Sequence, residues 1–151
     1  MPFDRKLVEA KLALSRISSV EMPSLAWDVL EAGLDGPCIR KLAALDHPSG
    51  WETDQVLPGF MAEAGLERIS CTEASIRLAR QLAGRILAEG LDPLAHTRDF
   101  ELLWIQAGYP RAIYDAGTLD DQKYVAESMG QTEAEIREHV QSVLIALTVE
   151  A

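Results

Sequence analysis

Apolar residues along this chain recur at steps of three and four, and nowhere do they alternate with polar ones over strand length. The pattern predicts an all-α protein, an irregular bundle of about seven to eight helices in a single helical domain spanning residues 1–151. The first helix is expected over Asp4 to Ile17, with Leu7, Val8, Leu12 and Leu14 near one face, before "SSVEMPS" interrupts it. Ser24 is placed to cap a short helix over Leu25 to Ala32, ended by Gly33. Its Leu25, Trp27, Val29 and Leu30 suggest burial on more than one side.

At "GLDGP" (33–37) the chain turns a corner. Gly33 suits a left-handed helix end, Leu34 is expected in the core, Asp35 or Gly36 can cap, and Pro37 fits the next helix's first position. Ile39, Leu42, Ala43 and Leu45 then face inward. The outline matches a DNA-reading helix-turn-helix, but only Arg40 and Lys41 are available to face a groove. The corner therefore reads as a packing hinge. "DHPSGWETDQ" is expected as a loop, followed by a helix starting near Asp54 or Gln55 so that Pro58 falls in its first turn.

Farther along, Ser70 and Glu73 form a possible capping box for a helix reaching Glu89, with Ile76, Ala79, Ala83, Ile86 and Leu87 inward and Arg77, Arg80 and Arg85 outward. Asp92-Pro93 opens another helix, ending at Gly108, whose segment Phe100 to Ile105 is the expected centre of the core. "IYDAGTLDDQ" reads as a polar connector before a modest helix over Gln122 to Met129. Thr132 and Glu135 cap a final helix carrying Ile136, Val140, Val143, Leu144 and Leu147.

Charge changes this picture. The chain carries 14 Lys and Arg against 24 Asp and Glu, a net charge of −10. The balance runs −1, −3 and −6 over residues 1–50, 51–100 and 101–151. Such a surface repels phosphate, so neither nucleic acid nor an anionic membrane is expected as a partner. A basic protein is favoured by its field, although acidic surfaces also serve solubility. No apolar stretch is long enough to span a membrane, and charge interrupts the first sixteen residues in a way that does not fit a secretory signal. Cys38 and Cys71 read as free buried thiols in a reducing compartment, and the expected localisation is cytoplasmic.

Motifs for chemistry are sparse. Phosphate loops and zinc-type Cys pairs are absent from the sequence, and no cofactor is expected. His96 has Asp99 three residues on, and His139 has Glu135 four residues before it, spacings at which carboxylate and imidazole can share a metal. The di-iron Glu-x-x-His pairing is missing, which makes these four weak metal candidates and solvated helix faces the simpler reading. His47 is expected in solvent. Trp27 and Trp104 are expected in the core. Trp51, in a polar segment, is either a lid or an exposed anchor; Tyr109 and Tyr114 flank a proline turn beside Asp115, Asp120 and Asp121. Those six residues are the candidates for partner binding.

"LAWDVLEAGLDGPCIRKLAAL" (25–45) and "LWIQAGYP" (103–110) resemble a pattern of small acidic all-helical bacterial proteins, some of which are immunity partners of toxins. The resemblance covers about a third of the chain, carries no catalytic motif, and implies a bacterial cytoplasmic helical protein. Two functions follow as expectations. The first is a non-enzymatic, immunity-like or regulatory protein acting on a basic partner. The alternative is a helical metal-binding or hydrolytic enzyme whose site is assembled only in space. The sequence does not specify an oligomeric state.

Overall fold

A computed structural model describes residues 2–149 of the chain. Nine α-helices and three 3-10 turns occur among the described residues, with no strand, so the fold is all-helical. The chain divides into two compact units, Met1–Ser70 and Cys71–Ala151.

The first unit holds α1 (Arg5–Ala13), α2 (Met22–Glu31), α3 (Pro37–Ala43) and α4 (Gly50–Ala64). Helix α2 packs on α3 and α3 on α4. Their core is built from Met22, Leu25, Val29, Ile39, Leu42, Val56 and Phe60, with Val8 contributed by α1. Asp4 starts α1 by accepting the Leu7 N–H at 3.2 Å. Helix α2 begins earlier than expected, with Pro23 in its first turn, so Ser24 is a helical residue and not the cap. Its buried positions Met22, Leu25, Ala26 and Val29 follow the steps of one helix face. Trp27 lies off that face and is 55% exposed, against the expectation of a core residue.

The 33–37 corner folds as the sequence indicates, with one correction. Gly33 has φ +94°, and the N–H groups of Gly33 and Leu34 return to the carbonyls of Leu30 and Val29, closing the end of α2. Gly36 caps α3 and Pro37 opens it. Leu34, however, is exposed and does not enter the core. Helix α4 starts at Gly50, because Ser49 and Glu52 form a reciprocal capping box within the segment expected to be a loop. Pro58 therefore sits in the helix interior, where it cannot supply an N–H to the ladder.

Glu63 on α4 supplies what the start of α3 lacks. Its carboxylate accepts the N–H of Ile39 at 2.9 Å and of Cys38 at 3.1 Å, a cap donated from another helix. Two glycines leave room for this pairing of α3 and α4. A Cβ at position 36 would overlap the Glu63 carboxylate, and one at position 59 would overlap the Cys38 sulfur. Burial pushes the Glu63 carboxyl up. The N–H groups of Ile39 and Cys38 and the Cys38 thiol outweigh it and hold the group below its ordinary value. The same hydrogen bond to Glu63, followed by burial, raises the Cys38 thiol. Cys38 is half-buried, as expected of a packed thiol, but Cys71 is exposed because it lies at the very start of α5.

The second unit holds α5 (Cys71–Glu89), α6 (Thr97–Gln106), α7 (Tyr114–Gly117), α8 (Leu119–Ser128) and α9 (Glu133–Val149). Helix α5 packs along α9, and α6 packs on α7 and α8. Ala79, Ala83 and Ile86 of α5 are buried as predicted, and so are Ile136, Val140, Leu144 and Leu147 of α9, whereas Ile76, Leu87 and Val143, expected on the same inward faces, are half-buried. The helix expected from Asp92 is split into a 3-10 turn, Pro93–Ala95, and α6. Phe100 and Leu103 are buried, but Leu102 and Ile105 are exposed and Trp104 is half-buried. Only one face of α6 reaches the interior. The nine helices exceed the expected seven to eight largely because the supposed connector "IYDAGTLDDQ" folds as α7 and the start of α8.

Two helical glycines predict opposite outcomes for one substitution. Gly84 in α5 has open space where a Cβ would go, so Gly84→Ala should stabilise by up to about 1 kcal/mol. At Gly117 a Cβ would run into the Trp104 ring, a rigid obstacle, and Gly117→Ala should cost about 1–3 kcal/mol. Denaturant midpoints of the two variants, on opposite sides of wild type, check this.

Acid should loosen the first unit through Glu63. Its carboxyl releases a proton more readily in the folded than in the unfolded chain. Its stabilisation is thus complete above the unfolded value of about 4.3 and is lost as pH falls through the lower folded value. Glu63→Gln should flatten the pH dependence of unfolding in that acid window. Equal slopes for variant and wild type would count against the cap.

Candidate functional site

The last two helices of the second unit enclose a groove. Helix α9 is firmly placed. Thr132 and Glu135 form the expected capping box, with the Glu135 N–H donating to Thr132 Oγ1 at 3.2 Å and the Thr132 hydroxyl to Glu135 Oε1 at 3.0 Å. Arg137 reaches Asp92 at 3.3 Å and Glu133 at 3.2 Å, tying α9 to the turn before α6. The Arg137 guanidinium and the Leu94 N–H hold the Asp92 carboxyl below its ordinary value.

Helix α8 is placed by less. Leu119 is its one buried residue. Beside it, the buried Thr97 hydroxyl donates to Asp120 Oδ1 at 2.8 Å, and Lys123 approaches the same carboxylate at 3.6 Å. These contacts fix the first turns of α8 to the start of α6. Beyond them α8 turns Val125, 56% exposed, and Met129, 77% exposed, toward the outside. An apolar helix face has been left without a covering element.

The groove has a volume of about 860 Å3. One wall consists of Asp121, Gln122, Val125, Ala126 and Met129 of α8, and the other of Glu135, Glu138, His139 and Ser142 of α9. Tyr114 and Thr118 close one end. His139 and Gln122 bridge the walls, Nε2 to Oε1 at 2.9 Å; with the amide oxygen accepting, the imidazole proton sits on Nε2. Gln122 Nε2 in turn donates to Thr118 Oγ1 at 2.7 Å, and the Thr118 hydroxyl to the Tyr114 carbonyl at 2.9 Å. Tyr114 stands edge-on to Trp104 at 5.7 Å, and Tyr109 meets the same indole edge-on at 5.0 Å. Trp104 Nε1 donates to the Pro110 carbonyl at 3.1 Å, which fixes the ring that both tyrosines lean on. Tyr109 adopts φ +60°, an uncommon backbone for an aromatic residue, as the chain leaves α6.

Charge in the groove has one sign. Its lining includes Asp121, Glu135 and Glu138 and no Lys or Arg. Over residues 114–149 the two basic residues, Lys123 and Arg137, are already engaged with Asp120 and with Asp92 and Glu133. Asp121 and Glu138 have no ion-pair partner among the described residues.

The structure brings four of the sequence-predicted residues together here: Tyr114, Asp121, Glu135 and His139. The others lie apart. Asp115 is exposed beside a smaller depression with Arg111 and Ala112. Asp120 is turned inward to Thr97, and Tyr109 stands outside the groove against Trp104. Trp51 belongs to the first unit, where it is 72% exposed in the first turn of α4 and covers no core. His96 pairs with Asp99 at 2.9 Å, a contact confined to the start of α6. Among the described residues, no three His, Cys, Asp or Glu side chains are gathered in a way that could hold a metal. His47 is exposed, as expected.

Sequence reasoning missed Gln122, Val125, Met129 and Glu138. A signal existed for two of them: Val125 and Met129, four apart on a helix with little else apolar, mark a face that the chain does not bury. Ser142 lies one turn from His139, but its hydroxyl donates to the His139 backbone carbonyl at 2.6 Å, not to the imidazole. The Ser142 hydroxyl is therefore not paired with the imidazole as a nucleophile with its base. Compared with known protein families, curated proteins and solved structures, the chain matches none. No helix among the described residues is long and apolar enough to cross a membrane.

With Leu119 as its one buried anchor, α8 should be the least protected long helix of this unit. Leu119→Ala should speed hydrogen exchange of the 119–128 amides while the amides of α5 and the α9 core keep their protection. Uniform loss of protection across all three helices would show that α8 is not separately held.

Proposed function

We propose that this protein is a non-enzymatic, regulatory or immunity-like protein that acts by binding a basic partner in the groove between α8 and α9. One observation carries the reading: an open apolar helix face rimmed by carboxylates with no cation in the lining. Apolar surface supplies the affinity of such a contact, and a one-signed rim supplies steering and selection against acidic partners. Tyr114, fixed by Trp104, is a rigid aromatic at the groove's end of the kind that anchors interfaces. The setting is taken as bacterial and cytoplasmic on the strength of the sequence resemblance. For the alternative, a helical metal-binding or hydrolytic enzyme, the groove offers His139, whose Nε2 is engaged by Gln122 Oε1.

The test compares wild type with the Asp121→Asn, Glu135→Gln, Glu138→Gln triple variant as baits in bacterial extract. Gln at 135 preserves the capping box, and the other two carboxylates are exposed, so the fold should hold. Basic proteins retained by wild type should be lost from the variant, and lost from wild type when salt is raised well above physiological strength. Tyr114→Ala should mainly speed dissociation of any protein so retained. The same proteins on both baits at low salt would overturn the reading.

A further inference from the structure

We propose that the element recognised by the α8–α9 groove is an amphipathic α-helix of about three turns, with apolar residues on one face and Lys or Arg along its flanks. This inference rests on reading the groove as the docking face for a basic partner. It is carried by the chemistry of the walls. Both walls are helices whose interior backbone groups are spent on their own hydrogen bonds, so an extended peptide would find no N–H or C=O edge to pair with. Its own backbone would be stripped of water without replacement, at a cost for each group left unpaired. A helix satisfies its backbone internally and needs only side-chain complementarity. Polyproline segments are the third common mode and seek grooves lined with several aromatics; this one has Tyr114 alone.

Dimensions agree. The α8 wall runs from Thr118 to Met129, about 16 Å at the helical rise, which matches roughly three turns of a docked helix. Val125 and Met129, one turn apart, present a ridge against which residues spaced i, i+3, i+4 and i+7 can interdigitate. Met129 is an adaptable thioether that fits apolar side chains of different shape. Asp121 continues the line of Val125 and Met129 one turn earlier on α8, and Glu138 stands on the facing wall, α9, so cations are selected at one end of the strip and along the α9 side of the guest. A second copy of this chain is a poor occupant, because it brings a net charge of −10 to the same rim.

The experiment uses the full chain and three fluorescein-labelled peptides followed by anisotropy. One is a Leu/Lys peptide of about 14 residues with helical amphipathic spacing. The second is a scramble of the same composition, and the third replaces Lys with Glu. The amphipathic basic peptide should bind about tenfold or more tighter than the scramble and gain helical circular dichroism on binding. Val125→Lys with Met129→Lys should weaken it about tenfold or more. Asp121→Asn with Glu138→Gln should weaken it less and reduce its salt dependence. All four positions are on the surface, and unchanged circular dichroism of the free variants verifies their fold. Equal binding of both basic peptides overturns the helix proposal and leaves the basic-partner reading standing. Equal binding of the acidic and basic amphipathic peptides overturns the basic-partner reading. Binding of none overturns both, as does binding that ignores the groove substitutions.

Discussion

Every helix start leaves backbone N–H groups without intrahelical partners, and the nine helices among the described residues meet that demand repeatedly. Much of this structure follows from how it is met. Asp4, Ser49 with Glu52, Asp92, and Thr132 with Glu135 solve it locally, each within a few residues of the helix it opens. Helix α3 does not. Its cap is Glu63, 24 residues downstream of Ile39; glycine at position 36 leaves room for that carboxylate, and glycine at position 59 leaves room for the Cys38 side chain beside it. The α3–α4 pairing is therefore specified by a directed polar contact in addition to apolar burial.

The same economy of anchoring shapes the second unit. Helix α9 is held by four buried apolar residues, a capping box and Arg137, whereas α8 has Leu119 and the Thr97–Asp120–Lys123 contact. The α8–α9 groove lies beside this lightly anchored helix, and the Gln122–His139 hydrogen bond joins its two walls. Carboxylates gather at its rim because few basic residues lie in this part of the chain and those few are already paired. The apolar α8 wall, the carboxylates and the tyrosine packed on Trp104 come from separate causes, yet they converge on the one surface at which a basic helix is proposed to dock.

Much of the helical architecture was legible in the residues because its causes are local. Steps of three and four fixed the inward stripes of α5 and α9, Thr132-x-x-Glu135 fixed the start of α9, and Gly33 fixed the end of α2. A second capping box, Ser49-x-x-Glu52, was equally readable but is masked by the turn-like composition around it. The all-α class, the acidic surface and the helix boundaries near these signals were determined by the sequence alone, since each depends on contacts between residues a few positions apart. Tertiary structure decided what depends on distant neighbours. Trp27 faces out because Met22, Leu25 and Val29 took the inner face of α2, while Trp104 turns inward onto Gly117, Pro110 and two tyrosines. Asp120 and Asp121 are adjacent and chemically identical, but one meets Thr97 and the other the groove. A side chain's environment is set by which helix lies across from it, and no local spacing encodes that.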